Sequence, residues 1–164
     1  MIEHACVKIA PKLYFSFLID DGEIVGSGFL KKQAKETVTS AYTKKVRNEV
    51  IRYLKGEPTN LQQFKTKQKM TQFEDKVFST LKKIPFGNTV TYGELASKIG
   101  NPKSSRAVGN VLGKNKIPLF VPCHRVVGSV GIGGFMKGIE GGVEIKKRLL
   151  ELENINPRHS RRGH

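Results

Sequence analysis

The apolar residues of this chain change period once, and that change limits what it can fold into. "LYFSFLID" (13–20) and "IVGSGFL" (24–30) flank the turn sequence "DDGE" and read as a β-hairpin, with "CVKIA" adding a strand before it. Beyond residue 40 the spacing is helical. Val46, Val50, Ile51 and Leu54 share a face, and Gly56 suits the end of that helix. Phe73, Val77, Phe78 and Leu81 define a second amphipathic helix. Strands followed by helices predict an α+β chain: a small N-terminal antiparallel sheet with a helix, then a mostly helical C-terminal domain. The expected division is a sheet/helix domain over 1–57, a polar linker over 58–70, a second domain over 71–155 and a flexible basic tail over 156–164.

A chain of 164 residues, 38% hydrophobic, can bury one sizeable core or two small ones. No apolar run reaches the length of a membrane span, and "MIEHACVKIA" lacks the pattern of a signal peptide. The expectation is a soluble, cytoplasmic monomer.

Within the second part, "TYGELASKIGNPKSSRAVGNVLGKN" holds two short helical patterns around a turn at Gly100–Lys103. Leu95, Ala96 and Ile99 mark the first. Ser104 or Ser105 can cap the second, in which Ala107, Val108, Val111 and Leu112 face inward and Gly113 can end the helix. The pattern is that of a helix-turn-helix or of an ordinary helical hairpin. Arg106 lies near the start of the second helix, off its apolar face, in the region that enters a DNA groove. The net charge of +15 bears on the choice. Residues 81–164 carry 15 basic and 5 acidic residues, against 14 and 9 in residues 1–80. Such a field favours a polyanion, nucleic acid first; a lysine-rich surface kept for solubility is the alternative.

"VPCHRVVG" (121–128) sets a cysteine beside a histidine in an apolar segment punctuated by Pro118 and Pro122. A thiol there is inert unless something lowers its pKa, and His124 is the candidate for Cys123. Adjacent side chains of extended backbone point opposite ways, so a bridging water or a bend is needed. On a helical wheel of "GGVEIKKRLLELE", Glu153 falls inside the apolar arc of Ile145, Leu149, Leu150 and Leu152, while Glu151 falls on the solvent side. A buried carboxylate needs a partner, and the His124 ring supplies one. Cys123, His124 and Glu153 then form a nucleophile–base–orienter set. A buried core cysteine beside a satisfied histidine, and a carboxylate that reaches solvent from a frayed helix end, are the bland readings. With two cysteines, and only His4 near Cys6, no zinc-like spacing exists.

"VPCHRVV", "FGNTVTYGELA", "GNPKSSRAVGNVLGKN" and the terminal "LLELE" resemble the C-terminal domain of the O6-alkylguanine-DNA alkyltransferases, over residues 71–153. The N-terminal part is compatible with that family's small sheet-and-helix domain. The resemblance implies a suicide repair reaction on double-stranded DNA that contains O6-alkylguanine. The base is flipped out, and Cys123 takes its alkyl group irreversibly. It implies His124 as water-linked base, Glu153 as its orienter, and Asn115 as the tie between the helix-turn-helix and the cysteine segment. Arg106 matches the finger that replaces the flipped base, and Tyr92 the tyrosine that crowds the phosphate and protonates the purine. Ser104, Ser105 and Arg125 join them as candidate DNA contacts. The carbonyls of Cys123 and Val126 would accept the guanine amino group, and Lys146 matches a pocket lysine on alignment backward from Glu153. Leu112, Phe135, Met136 and Lys137 complete the candidate pocket. No metal and no cofactor are called for.

The chain departs from the family at Phe135-Met136, where Tyr-Ser is usual, so two hydroxyls near the substrate oxygen are absent. Backbone N–H groups of Met136 or Lys137 can replace them. The loop is about four residues longer than in compact relatives, which predicts mobility and room for bulkier alkyl groups. Two other classes fit fewer features. A noncatalytic alkylated-DNA recognition or regulatory module needs no reactive thiol. A cysteine hydrolase gives no reason for the paired helices.

Overall fold

The computed structural model describes residues 1–134 and 141–155. The chain forms an α+β structure that divides into two compact units, one of residues 1–69 and 116–120, the other of 70–115 and 121–164. Expectations for Phe135, Met136, Lys137 and the basic tail fall outside the described residues.

The first unit is built on strands β1 (Ile2–Ala10), β2 (Leu13–Asp20) and β3 (Glu23–Leu30), antiparallel in sequence order. Asp21 and Gly22 take φ of +49° and +76°, the left-handed pair that a tight two-residue hairpin turn demands. One sheet face buries Phe15 and Phe17, which pack on Phe120, with ring centroids 6.0 and 5.4 Å apart. Helix α1 (Ala41–Leu54) is capped by Ser40, whose side chain accepts from Thr43 N, and buries Val46, Val50 and Tyr53. Ile51 and Leu54 are only half-buried.

Residues 31–40 run along the outer edge of β1. Thr37 N donates to His4 O, Ala34 N to Cys6 Sγ and Cys6 N to Glu36 Oε2. A sheet edge that would otherwise offer unpaired backbone groups is thereby covered. Cys6 is a buried free thiol with this structural duty. Glu3 anchors the strap, accepting from Thr39 N, Ser40 N (2.9 Å) and Thr43 Oγ1 (2.9 Å).

The polar segment expected as a linker is structured. Leu61 and Phe64 bury themselves from a 3-10 turn. Ile24 N donates to Lys65 O, and Lys67 N to Ile24 O, both at 2.8 Å, so this backbone extends the β3 edge. The chain also returns to this unit at 116–120, where Ser27 N donates to Lys116 O and Ser27 Oγ to Pro118 O. Polar composition hides such pairing, because the backbone makes it.

The second unit begins at α2 (Gln72–Leu81), capped by Thr71, with Val77, Phe78 and Leu81 buried. Strand β4 (Val90–Thr91) pairs in parallel with β5 (Val126–Val127). Helix α3 (Tyr92–Lys98) opens on a reciprocal Thr91–Glu94 capping box. Gly100, at φ +83°, begins the turn to α4 (Ser105–Gly113), which packs against α3. Val108, Val111 and Leu112 are buried, but Ala107 is exposed, contrary to the wheel reading. Ser104 stands at the cap position, yet its hydroxyl donates to Asn101 O instead of capping α4. Helix α5 (Gly142–Leu152) buries Ile145, Lys146, Leu149 and Leu150. Leu150 joins Val127 and Ile155 in a small core. Among the described residues no helix is long and apolar enough to cross a membrane.

Glu3 gives the fold an acid-sensitive anchor. Hydrogen bonds from Ser40 and Thr39 hold its carboxyl down from 4.5 to about 2. Its contribution is therefore complete above the unfolded value and is lost as pH falls from about 4.5 through 2. Glu3→Gln is expected to lower the melting temperature at pH 7 and to flatten its decline between pH 4.5 and 2. Thermal unfolding across that range checks it.

Candidate active site

Cys123, His124 and Arg125 form a single 3-10 turn, the bend that the sequence left open beside a bridging water. Pro122 has φ −81° and ψ 62°, and Cys123 N donates to Val121 O at 2.8 Å. That is an inverse γ-turn, which the fixed φ of proline favours. The bend lets three consecutive side chains fan into the interior. Cys123 is 5% exposed, His124 0% and Arg125 1%.

The carboxylate of Glu153, just past the end of α5, lies against this turn. His124 Nε2 is 2.5 Å from Glu153 Oε2. Arg125 Nε donates to Oε1 at 2.9 Å, Arg125 Nη2 to Oε2 at 3.3 Å, and Gly87 N to Oε1 at 3.0 Å. Guanidinium and amide groups can only donate, so Glu153 acts throughout as an ionised acceptor. His124 therefore carries its proton on Nε2, leaving Nδ1 as the basic nitrogen of the neutral ring. Burial lowers the His124 pKa, and Glu153 opposes that shift.

Arg125 is thus not a candidate DNA contact. It is buried, and its Nη1 also donates to Ile84 O at 2.8 Å. A cation in a basic chain reads as a phosphate contact from sequence. The signal that could have corrected this was its place in an apolar segment, since a buried arginine requires a carboxylate. Gly87 and Ile84 were likewise missed; both act through backbone groups.

Burial pushes the Cys123 thiol up to about 11, with the Asn115 side chain and Lys146 pulling the other way. Asn115 Nδ2 also donates to Val121 O at 3.0 Å, closing the neck of the 116–120 excursion. Lys146 is fully buried, and its Nζ donates to Val126 O at 2.6 Å and Gly134 O at 2.7 Å. The Val126 carbonyl expected to read a guanine amino group therefore already has a donor, with a second lone pair remaining. Burial also lowers Lys146, to about 8.

Tyr92, the first residue of α3, is half-buried and reaches Gly134 O at 3.5 Å. A Cβ at Gly133 (φ +73°) would stand 2.8 Å from the Tyr92 hydroxyl, so only glycine fits there. Leu112 is buried in the core; Arg106 and Ala107 are exposed, and Ser104 and Ser105 half-exposed. Among the described residues no group of three His, Cys, Asp or Glu is placed to hold a metal ion.

Residues 72–155 match the family model for the DNA-binding domain of 6-O-methylguanine DNA methyltransferase. The chain belongs to this family. A methylated-DNA–protein-cysteine methyltransferase of Methanosarcina acetivorans is 51% identical over 83 residues, 51% of each chain. One from Haemophilus influenzae is 40% identical over 111 residues, 68% of this chain and 60% of that one. These alignments span only about half to three fifths of those relatives. One from Methanosarcina mazei is 38% identical over 136 residues, 78% of this chain and 82% of the relative. Among solved structures, the Mycobacterium tuberculosis O6-methylguanine methyltransferase superposes with a TM-score of 0.76 at 30% identity, covering 93% of both chains. The methyltransferase of Pyrococcus kodakaraensis gives 0.68 at 28%, covering 94% of this chain and all of that one.

Two substitutions probe the family site as it stands here. Arg125→Met leaves Glu153 buried and short of its main partner, and is expected to cost about 3–5 kcal/mol of stability, read by urea unfolding. Gly133→Ala combines the clash with left-handed strain and should cost about 1–3 kcal/mol.

Proposed function

We propose that this chain repairs DNA by moving the alkyl group of O6-alkylguanine onto its own Cys123, once per molecule. The observation that carries the reading is the buried Cys123 in one tight turn with a histidine whose tautomer Glu153 fixes. The relatives' names, methylated-DNA–protein-cysteine methyltransferase, support the substrate class. A related Mycobacterium tuberculosis protein has been crystallised with DNA, which supports the partner.

The thiol is protonated at rest, since its pKa is about 11. Its proton passes through a water molecule to His124 Nδ1, and Glu153 stabilises the imidazolium. The thiolate attacks the alkyl carbon in line; the S–C bond forms as the C–O6 bond breaks, and the electron pair goes to the purine. Tyr92, kept protonated because burial raises its pKa, supplies a proton to the purine, and the neutral base departs. A thioether does not hydrolyse, so the protein is consumed. Lys146, through its positive charge, favours the thiolate. The step calls for no metal or cofactor.

Helices α3 and α4 serve as a helix-turn-helix. Arg106, exposed near the start of α4, fills the space of the flipped base, with Ser104 and Ser105 beside it at the backbone. The protein acts as a cytoplasmic monomer on duplex DNA.

Incubation with a duplex carrying O6-methylguanine, followed by intact mass and peptide mapping, tests the reading. One added methyl on Cys123, saturating at one equivalent and absent in Cys123→Ser, is expected. Tight lesion binding with no mass change would favour a recognition module, and multiple turnover a hydrolase. Arg106→Ala should slow repair of the duplex by roughly ten- to a hundredfold, reflecting the few kcal/mol that flipping costs. Its reaction with a free O6-alkylguanine base should be unchanged.

A further inference from the structure

Lys146 has a bonding pattern unlike that of the other buried cation. Arg125 faces a carboxylate, whereas Lys146 bonds two backbone carbonyls. Val126 O belongs to β5, three residues beyond Cys123, and Gly134 O to the segment that follows β5. Gly134 O also accepts from the Tyr92 hydroxyl at 3.5 Å, and the Lys146 ammonium lies 5.9 Å from the centre of the Tyr92 ring. Gly128 and Gly131 bridge within the same segment, and Gly133 packs against Tyr92 so closely that no side chain fits. One ammonium thus joins the strand after the nucleophile, the glycine segment 128–134 and the tyrosine.

We propose that Lys146 is a positioning residue: it clamps the 128–134 segment onto β5 and so holds Tyr92 in place beside Cys123. A full positive charge in a buried site with carbonyl partners is a costly choice for mere packing, since a methionine fills similar volume without desolvation. The ammonium offers what methionine lacks, directed donors that can bridge two acceptors. The clamp also carries a pH limit. The ionisable groups facing Lys146 are Cys123, His124 and Tyr92, with Arg125 in the same turn. Cys123 titrates at about 11, Tyr92 above its usual value and His124 below its own, so between pH 7 and 9 the lysine, at about 8, is the group of this set that changes charge. A neutral amine keeps two protons but loses the charge that makes these bonds strong.

The clamp rests on the transferase reading for its purpose, but its geometry can be tested apart from activity. Hydrogen exchange of the 128–134 amides, corrected for intrinsic rates, is measured at pH 7–9 in the wild type and in Lys146→Met. The wild type is expected to lose protection above pH 8. Lys146→Met should show about tenfold faster exchange at pH 7 with no further pH dependence. Methyl transfer at saturating duplex should slow about tenfold or more in Lys146→Met, with the Kd for DNA unchanged. Combined with Tyr92→Phe, it should fall short of the product of the two single effects, because part of the Lys146 effect passes through Tyr92. Unchanged protection in Lys146→Met overturns the clamp, as do strictly multiplicative rate effects. If Lys146→Met does not fold, Lys146→Gln is measured in its place, with the same outcomes deciding. A wild type that takes up no methyl group rejects the transferase reading, while the exchange data still decide the clamp.

Discussion

The second unit depends on one buried carboxylate. Glu153 is 2% exposed and receives donors from a turn after α2, from a histidine and from an arginine. Desolvating an unpaired carboxylate costs several kcal/mol, so the surrounding donors are a condition of folding. Each donor fixes a different piece of chain. Gly87, at φ +85°, turns its amide inward; Arg125 reaches through to Ile84 O; His124 sets the orientation of the cysteine turn. The end of α5, the 84–88 turn and the 3-10 turn cannot move independently without exposing this charge to a dry interior. The geometry of the cysteine turn and the stability of the unit are therefore the same set of bonds.

That economy creates a tension at the nucleophile. The burial that makes the carboxylate bonds strong also penalises the Cys123 thiolate, and the thiol sits at about 11. A cysteine protease resolves such a conflict with a standing ion pair, because it must turn over. The single-use reaction proposed above makes a different demand. A resting thiol resists oxidation and stray electrophiles, since susceptibility follows thiolate character and exposure. The proton needs to leave only when a substrate occupies the site, and a neutral His124 with Nε2 fixed on Glu153 is set up to receive it.

Sequence reading succeeded where local physics decides the outcome. The hairpin over 13–30 was legible because its turn residues must take left-handed φ, and α2 because four apolar residues share one face. Glu153 was legible because a carboxylate inside an apolar arc violates a rule that must be repaired somewhere. The repair itself was only half legible. His124 was paired with Glu153, but Arg125, the next residue, was assigned to DNA. Its carboxylate lies 28 residues away, and a wheel drawn on α5 says nothing about the far side of the contact. The misread Ala107 has a related cause: in a nine-residue helix a small apolar residue fits either face at little cost. The segment 58–70 was read as linker because its ordering comes from backbone pairing at Ile24 and from two apolar side chains, Leu61 and Phe64. The bend at Cys123 was legible only as one of two options, beside a bridging water, because Pro122 satisfies an extended pattern and an inverse γ-turn equally well.

The two buried cations beside the cysteine divide the electrostatic work. Arg125 is neutralised by Glu153, so this pair contributes geometry and little net field. Lys146 bonds carbonyls, which orient its charge without cancelling it. The unbalanced positive charge near Cys123 is therefore the lysine's, and Cys123 and Lys146 each shift the other toward the ion pair. Such a pair is disfavoured by desolvation while the site is dry on both counts, and favoured once a step in the reaction removes the thiol proton. In the proposed transfer, a charge that is worth most when the thiolate forms would stabilise the transition state more than the resting state, which is the condition for accelerating a reaction rather than only binding its substrate.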